Sequence, residues 1–257
     1  MIFQEQRKRN ELTGSDDYRH PFTLNRYCSV WGSRTFTLEL ITMNEAVAFS
    51  SPSHNNDPLS IHHTPSGFSD RFAFRLTKSL RFFADIFFAK RYGHRAVVLE
   101  TVAAVPGMVA GMVRHMRSLR RMEDDSEAIH TLLEEAENER MHLMTFVQIA
   151  QPSFLERMLI LLAQGIFFTS FLLLYVISGR TAHRLVGYFE EEAVYSYSVY
   201  LAEVDSGRLE NVAAPKIAID YWKLSADATL RDVIIAVRND EAGHRDVNHQ
   251  FADSFTS

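Results

Sequence analysis

The chain has a single cysteine, Cys28, among 257 residues. One thiol cannot form an internal disulfide framework or supply a cysteine cage for a metal. Any metal held here must take its ligands from His, Asp and Glu, present as 11 histidines and 32 acids. Excess positive charge is also missing. Lys and Arg number 27 and the formal net charge is -5, so no nucleic acid is expected as a partner. Breakers are sparse, with 11 Gly and 7 Pro. Strand-like alternation and repeats of fixed period are absent. The opening residues, MIFQEQRKRNELTGSDDYRH, contain no apolar signal core. Their acids, Glu5, Glu11, Asp16 and Asp17, are unlike an acid-poor transit peptide. Hydrophobic residues are plentiful, at 46% of the chain, enough for a sizeable core.

Residues 1–70 are rich in Ser, Thr, Asn, Asp and Pro, and SSPSHNND and HHTPSG have loop composition. This stretch is expected to be an irregular N-terminal arm with at most one short helix. Residues 71–257 are expected to form one helical domain. Apolar segments there carry charges at helical spacing. Punctuation predicts helices near 71–90, 95–122, 126–148, 153–178, 180–206 and 215–252. Arg91-Tyr92-Gly93 closes the first, Asp124-Asp125-Ser126 offers an N-cap to the third, and Pro106-Gly107 should kink the second.

Segment 158–178 carries no charge and just reaches the length of a membrane span. Three readings stay open: a span, a central bundle helix that is apolar all round, or a helix with one face on the bundle and another in lipid. Arg114, Arg117, Arg120, Arg121, Arg180 and Arg184 flank apolar helices. They fit either a solvated face or contact with anionic headgroups.

Two segments have the form Glu-x-x-His: Glu139-Arg140-Met141-His142 and Glu241-Ala242-Gly243-His244. On a helix, positions i and i+3 share a face, so carboxylate and imidazole can meet one ion. Mixed oxygen and nitrogen ligands suit iron, manganese or zinc. The motif alone is weak, since about one copy is expected by chance in this composition. A third copy, Glu127-Ala128-Ile129-His130, follows an acidic turn and is taken as that chance instance. The other two lie on helices with an apolar opposite face. Isolated acids in apolar segments add to them: Glu100 in AVVLETVAAVPGMV, and Glu190 in LVGYFEEEAVYSY. A lone Glu there needs an arginine partner or a metal. The order Glu, Glu-x-x-His, Glu, Glu-x-x-His on four helices suits a di-iron carboxylate bundle. Four carboxylates would neutralise two Fe(II) ions.

The blocks around these residues resemble the alternative oxidases, the cyanide-insensitive quinol oxidases. They are Leu99-Glu100-Thr101 with the following Val-Ala-Ala-Val-Pro-Gly-Met, Asn138 to Leu143, Glu190-Glu191-Glu192-Ala193, and Asp240 to His244. The likeness covers roughly 70–253. It implies an all-α, ferritin-like four-helix bundle with two additional helices. It implies a monotopic homodimer on one leaflet that oxidises quinol, ubiquinol by expectation, and reduces O2 to water without pumping protons. The cofactor would be two iron ions bridged by oxo or hydroxo groups and carboxylates. The implied ligands are Glu100, Glu139, His142, Glu190, Glu241 and His244.

The resemblance also implies a redox role for Tyr197, which lies seven positions after Glu190 and so within about 20° of the same face. A buried core tyrosine is the alternative. Asn138, Tyr221, Trp222 and Asp240 are implied to orient the histidines, with His183 near the metals but not a ligand. His183 could equally make an ordinary polar contact before a bend at Gly187. The quinol pocket maps to Arg81, Asp85, Arg95, Leu99, Glu192, Ala193 and Ser196, with Arg95 on the headgroup. Ser196, Phe189 and Gly243 depart from the commoner threonine, leucine and glutamate. A di-iron quinone-ring hydroxylase and an iron-storage or structural helical protein are the competing readings. The expected location is the cytoplasmic face of a bacterial inner membrane, with the matrix face of the mitochondrial inner membrane as the alternative.

Overall fold

The computed structural model describes residues 58–88 and 91–255. Most of the expected N-terminal arm, with Cys28, lies outside the described residues. Among the described residues, a short 3-10 turn, Pro58–Ser60, precedes seven α-helices. These are α1 (Phe68–Phe88), α2 (Tyr92–Arg121), α3 (Ser126–Ala150), α4 (Phe154–Ile177), α5 (Gly179–Asp205), α6 (Lys216–Trp222) and α7 (Leu230–Ser254). No strand forms among the described residues beyond an isolated bridge between Ala213 and Thr229.

Two antiparallel pairs make the bundle: α2 with α3, and α5 with α7. Helix α1 lies along α5, and α4 lies along α2. Two glycines set the close approaches. A Cβ on Gly107 would fall 2.5 Å from the Leu132 carbonyl on α3. A Cβ on Gly187 would fall 2.5 Å from Nδ1 of His249 on α7. Polar residues fix the helix starts. Asp124 Oδ1 accepts from the Ser126 backbone N–H at 2.9 Å. Ser153 and Glu156 cap α4 reciprocally.

Three sequence expectations are corrected. The final helix, read as 215–252, is two helices: Lys223 takes the left-handed conformation (φ 55°) and ends α6. Asp232 then accepts from both the N–H and the hydroxyl of Thr229 and starts α7. Tyr92 and Gly93 open α2 rather than closing α1, which stops at Phe88. Segment 158–178 is not a central helix. Only Phe171 and Tyr175 of α4 are buried, while Leu161, Leu162, Ile166, Leu173 and Val176 face outward. Helices α2 and α4 are both long and apolar enough to cross a membrane, but α2 is largely packed inside the bundle.

Arg184 is also corrected: it is neither a solvated nor a headgroup arginine. It is fully buried on α5. Its Nε donates to Asp70 Oδ1 at 3.2 Å, a terminal nitrogen pairs with His249 Nδ1 at 2.9 Å, and the other donates to Asp253. This network pins α1 and the preceding residues to α5 and α7. His63 adds to it, stacking on His249 with ring centroids 4.7 Å apart.

Candidate metal centre

The ligand candidates come from four helices and meet in the bundle. Ligand atoms of Glu100, Glu139, His142 and Glu241 all lie within 4.8 Å of one another. His142 Nδ1 lies 3.3 Å from a carboxylate oxygen of each of the other three. His244 Nδ1 is 2.7 Å from Glu139 Oε1 and 3.8 Å from Glu241 Oε2. Glu190 is buried and joins the group through the Glu241 carboxylate. By contrast, His130 of the chance motif is exposed and lies 3.4 Å from Glu134.

Hydrogen-bond satisfaction separates this cluster from its surroundings. Buried and without a hydrogen bond are Glu100 Oε2, both Glu139 oxygens, Glu241 Oε2, and Nδ1 of His142 and of His244. Among the described residues, no other carboxylate oxygen is buried in this way. Several are close in distance yet not aligned to donate and accept. Such atoms are costly inside a protein unless something else satisfies them. An inward-facing set of orphaned carboxylates and imidazoles therefore fits a cation.

The electrostatics agree. Burial, with the charges of Glu241 and Glu139, drives Glu100 well above the ordinary carboxylate range. Burial and the same neighbours raise Glu190. Burial pushes Glu139 and Glu241 upward too, but His142 and His244 outweigh it and hold both below the ordinary range. Burial disfavours charge on the two histidines, yet the carboxylates hold both imidazoles well above their ordinary value. Four carboxylates so close together demand compensating positive charge.

Asp240 orients His142. Its Oδ2 lies 3.3 Å from His142 Nε2 and accepts from Trp222 Nε1 at 2.8 Å and from Asn138 Nδ2 at 3.0 Å. Asn138 Nδ2 also reaches the Tyr221 hydroxyl at 3.0 Å. All four residues expected to orient the histidines are thus in one network, and it reaches His142. His142 Nδ1 is left facing the carboxylates, as a ligand nitrogen must be.

Tyr197 is buried and its hydroxyl donates to Glu100 Oε1. Its ring stacks on Phe146 with centroids 5.6 Å apart. Burial and the Glu100 charge hold the phenol well above its ordinary pKa, so it keeps its proton. Tyr195 is exposed and Tyr200 packs in the apolar core, away from this role.

A cavity of about 830 Å³ leads to the cluster. Glu100, Glu190, Tyr197 and Glu241 line it, and so do Arg81, Arg95, Leu99, Glu192, Ala193 and Ser196. The rest of its wall is mostly apolar, from α1, α2, α4 and α5. Asp85 borders a neighbouring space of about 250 Å³ that shares Arg81, Arg95 and Ser196. Every residue expected at the quinol site is therefore on one of two adjoining walls. Phe189 lines the larger one, against Phe167. Arg95 bonds Asp85, and its NH2 group donates to Ser196 Oγ at 3.3 Å. Its Nε is buried with no partner.

His183 is buried but touches no ligand. Its Nδ1 pairs with Asn248 Oδ1 at 2.9 Å, and its Nε2 lies 3.4 Å from the Tyr175 hydroxyl. Burial lowers its pKa to about 4, so the ring is neutral. Asn248 Nδ2 donates onward to Glu135, at 2.9 and 3.0 Å to its two oxygens. Glu135 was not among the expected site residues. It sits in an acid-rich run that resembles a solvated face, and only its position one turn before Glu139 marks it.

Comparison with known proteins accounts for this arrangement. The sequence model of the family described as alternative oxidase matches residues 53–253, starting before the resemblance at about 70. A mitochondrial ubiquinol oxidase of Mangifera indica is 60% identical over 195 residues, covering 76% of this chain and 61% of the relative. The mitochondrial ubiquinol oxidase 1c of Arabidopsis thaliana is 58% identical over 195 residues, covering 76% and 59%. That of Batrachochytrium dendrobatidis is 59% identical over 193 residues, covering 75% and 61%. The chain spans about three fifths of the length of these curated relatives. With the family model covering most of its length, the chain belongs to the alternative oxidase family.

Proposed function

We propose that the protein is a quinol oxidase that reduces O2 to water at a di-iron centre. The observation that carries this reading is one cavity with two ends. Its inner wall is built from Glu100, Glu190, Glu241 and Tyr197, and its outer wall from the apolar flanks of α1 and α4. Glu100, Glu139, His142, Glu190, Glu241 and His244 would hold two iron ions. The donor set supports iron, since oxygen-rich ligands with one imidazole per ion suit a redox-active divalent metal. When bound, the irons supply electron transfer between quinol and O2.

The chain's own residues would do the rest. Arg95 turns its free Nε–H toward a quinol oxygen, with Asp85 and Ser196 holding the guanidinium in place. Leu99 and Ala193 wall the ring. Tyr197 keeps its phenol proton and directs it at Glu100 Oε1, between quinol and metal centre. Two quinols deliver four electrons and four protons, the number needed to turn one O2 into two waters. No charge need cross a membrane.

The relatives are named ubiquinol oxidases, which supports ubiquinol as substrate. Their names also carry "mitochondrial", which favours a mitochondrial membrane over the bacterial one expected from the sequence. Exposed apolar residues on α1 (Phe82, Phe83, Ile86, Phe87) and α4 (Leu161, Leu162, Ile166) suit insertion into one leaflet. A separate row on α2, Met108, Met112 and Met116, suits contact with a second copy.

Iron-loaded protein given ubiquinol should consume O2 in the presence of cyanide, and His142→Ala should abolish both iron retention and uptake. No quinol-dependent uptake by iron-replete protein would overturn the proposal. A hydroxylated ring as the product would reassign it to quinone-ring hydroxylation.

A further inference from the structure

The two histidines of the centre have unequal surroundings. His142 has Asp240 behind it. His244 has no carboxylate of that kind in the sequence pattern. The structure supplies one a turn further along the bundle. Positions 135, 139 and 142 share one face of α3, and positions 241, 244 and 248 share one face of α7. The rows run antiparallel, so the turn beyond the ligands brings Glu135 against Asn248. Asn248 Nδ2 contacts both Glu135 oxygens and also donates to the His244 backbone carbonyl at 3.0 Å. A single amide therefore ties the carboxylate to the turn that carries the ligand.

The amide cannot flip. His183 Nδ1 meets Asn248 Oδ1 at 2.9 Å, and an Nδ2 turned toward that histidine would present the Asn248 oxygen to the carboxylate. His183 is fixed in turn by Tyr175, and Tyr175 is bonded to Arg114, which grips both Asp125 oxygens at 2.9 Å. The chain of contacts thus runs from an ion pair at the α2–α3 turn to the metal centre. An asparagine in its middle passes no proton easily, so its use is to hold, not to conduct.

We propose, resting on the di-iron reading above, that Glu135 is a positioning residue for His244 that acts through Asn248 and the backbone of the His244 turn, where Asp240 acts on the His142 ring directly, with His183 locking Asn248 in place. Burial of a fifth carboxylate supports this. Four balance two divalent ions, and Glu135 is left over with Asn248 as its only hydrogen-bond donor among the described residues. Burial raises Glu135 to about 7, while His244 and Asn248 pull it back toward the charged form. A buried acid with no function would be cheaper as an amide.

The test is Glu135→Gln in the full chain, which keeps the shape and removes only the charge. The variant should fold and melt as wild type does. Iron retained against a chelator should fall about tenfold to a hundredfold. The visible bands of the Co(II)-substituted protein should shift, and the KM for quinol should not. Glu135→Asp should recover part of the retention. Should Glu135→Gln fail to fold, Asn248→Ser releases the same carboxylate and should show the same loss. Wild-type retention and an unshifted Co(II) spectrum in the folded variant would overturn the inference and leave the enzyme reading intact. Wild-type protein that retains no iron would overturn both.

Discussion

Charge placed on the outward row of α4 should detach the protein from lipid without disturbing the metal centre. Leu159, Leu162, Ile166 and Leu173 lie on one helical face. Leu162 and Ile166 are each 61% exposed, so little of either packs against protein. Moving a whole Leu or Ile side chain out of water yields about 1.5–3 kcal/mol. At this exposure each contributes roughly 1–2 kcal/mol to transfer into acyl chains. The double variant Leu162→Asp/Ile166→Asp forfeits both contributions, about 2–4 kcal/mol in all. At about 1.4 kcal/mol per factor of ten, binding to vesicles weakens by at least about thirtyfold. The new carboxylates add a further penalty at that depth. Flotation with liposomes measures the loss. Iron content and helix content in detergent should stay at wild-type values, because both side chains are mostly exposed and Ile166 meets the cavity only on its apolar wall. Flotation equal to wild type would refute the lipid reading of this face. Loss of iron or helix would refute it differently, by showing that the face is packed against protein.

Tyr197→Phe should retain iron and fold, yet lower quinol-driven O2 uptake by about a hundredfold or more if the hydroxyl handles a proton during turnover. A change under about twofold would leave Tyr197 as a core tyrosine. Arg95→Ala should raise the quinol KM, the loss of one charged hydrogen bond being about 1.5–3 kcal/mol, with iron content unchanged. Asp70→Ala should destabilise the fold by about 3–5 kcal/mol in denaturant titration, because Arg184 stays buried with its main partner gone. The pH dependence has a definite sign. Burial alone would raise Asp70, but Ser66, Arg184 and Arg180 outweigh it and hold the group below the ordinary aspartate pKa. Its contribution is complete above that value and is lost as pH falls below it. Asp70→Asn should therefore flatten the acid limb of the stability profile, and an unchanged limb would count against this pairing.

Legibility from the sequence followed the strength of local pattern. The buried Glu and His cluster could be read because Glu-x-x-His has a fixed helical spacing and because Glu100 and Glu190 stand alone among apolar residues. The Asp240 network and the cavity wall came from a resemblance spread over several blocks, not from any one residue. Features without a local mark were missed. Lys223 ends α6 in a left-handed conformation that glycine usually signals, and no glycine is there. Gly93 looks like a stop and instead lies in the first turn of α2. The partners Asp70 and Arg184 are far apart in the chain, so neither looked buried. Glu135 was hidden by its neighbours, since Glu134, Glu137 and Arg140 do form a solvated face.

Buried charge is common in this bundle, and burial alone does not separate function from scaffold. Arg184 is as deep as His142. What distinguishes them is satisfaction. Arg184 spends its donors on Asp70, His249 and Asp253, and so closes a network that joins α1, α5 and α7. The candidate metal centre leaves Glu100 Oε2, both Glu139 oxygens, Glu241 Oε2 and two Nδ1 atoms open. The layers on either side are closed again, by Tyr197 on Glu100 and by Asn248 on Glu135. Helix α5 shows the arrangement most simply, because His183, Glu190 and Tyr197 follow one another at seven-residue spacing along one face. An open layer between two closed ones is costly in an apolar core unless a cation completes it. The same arrangement explains why the ligands must be so well held: each closed layer fixes the geometry of the open one between them.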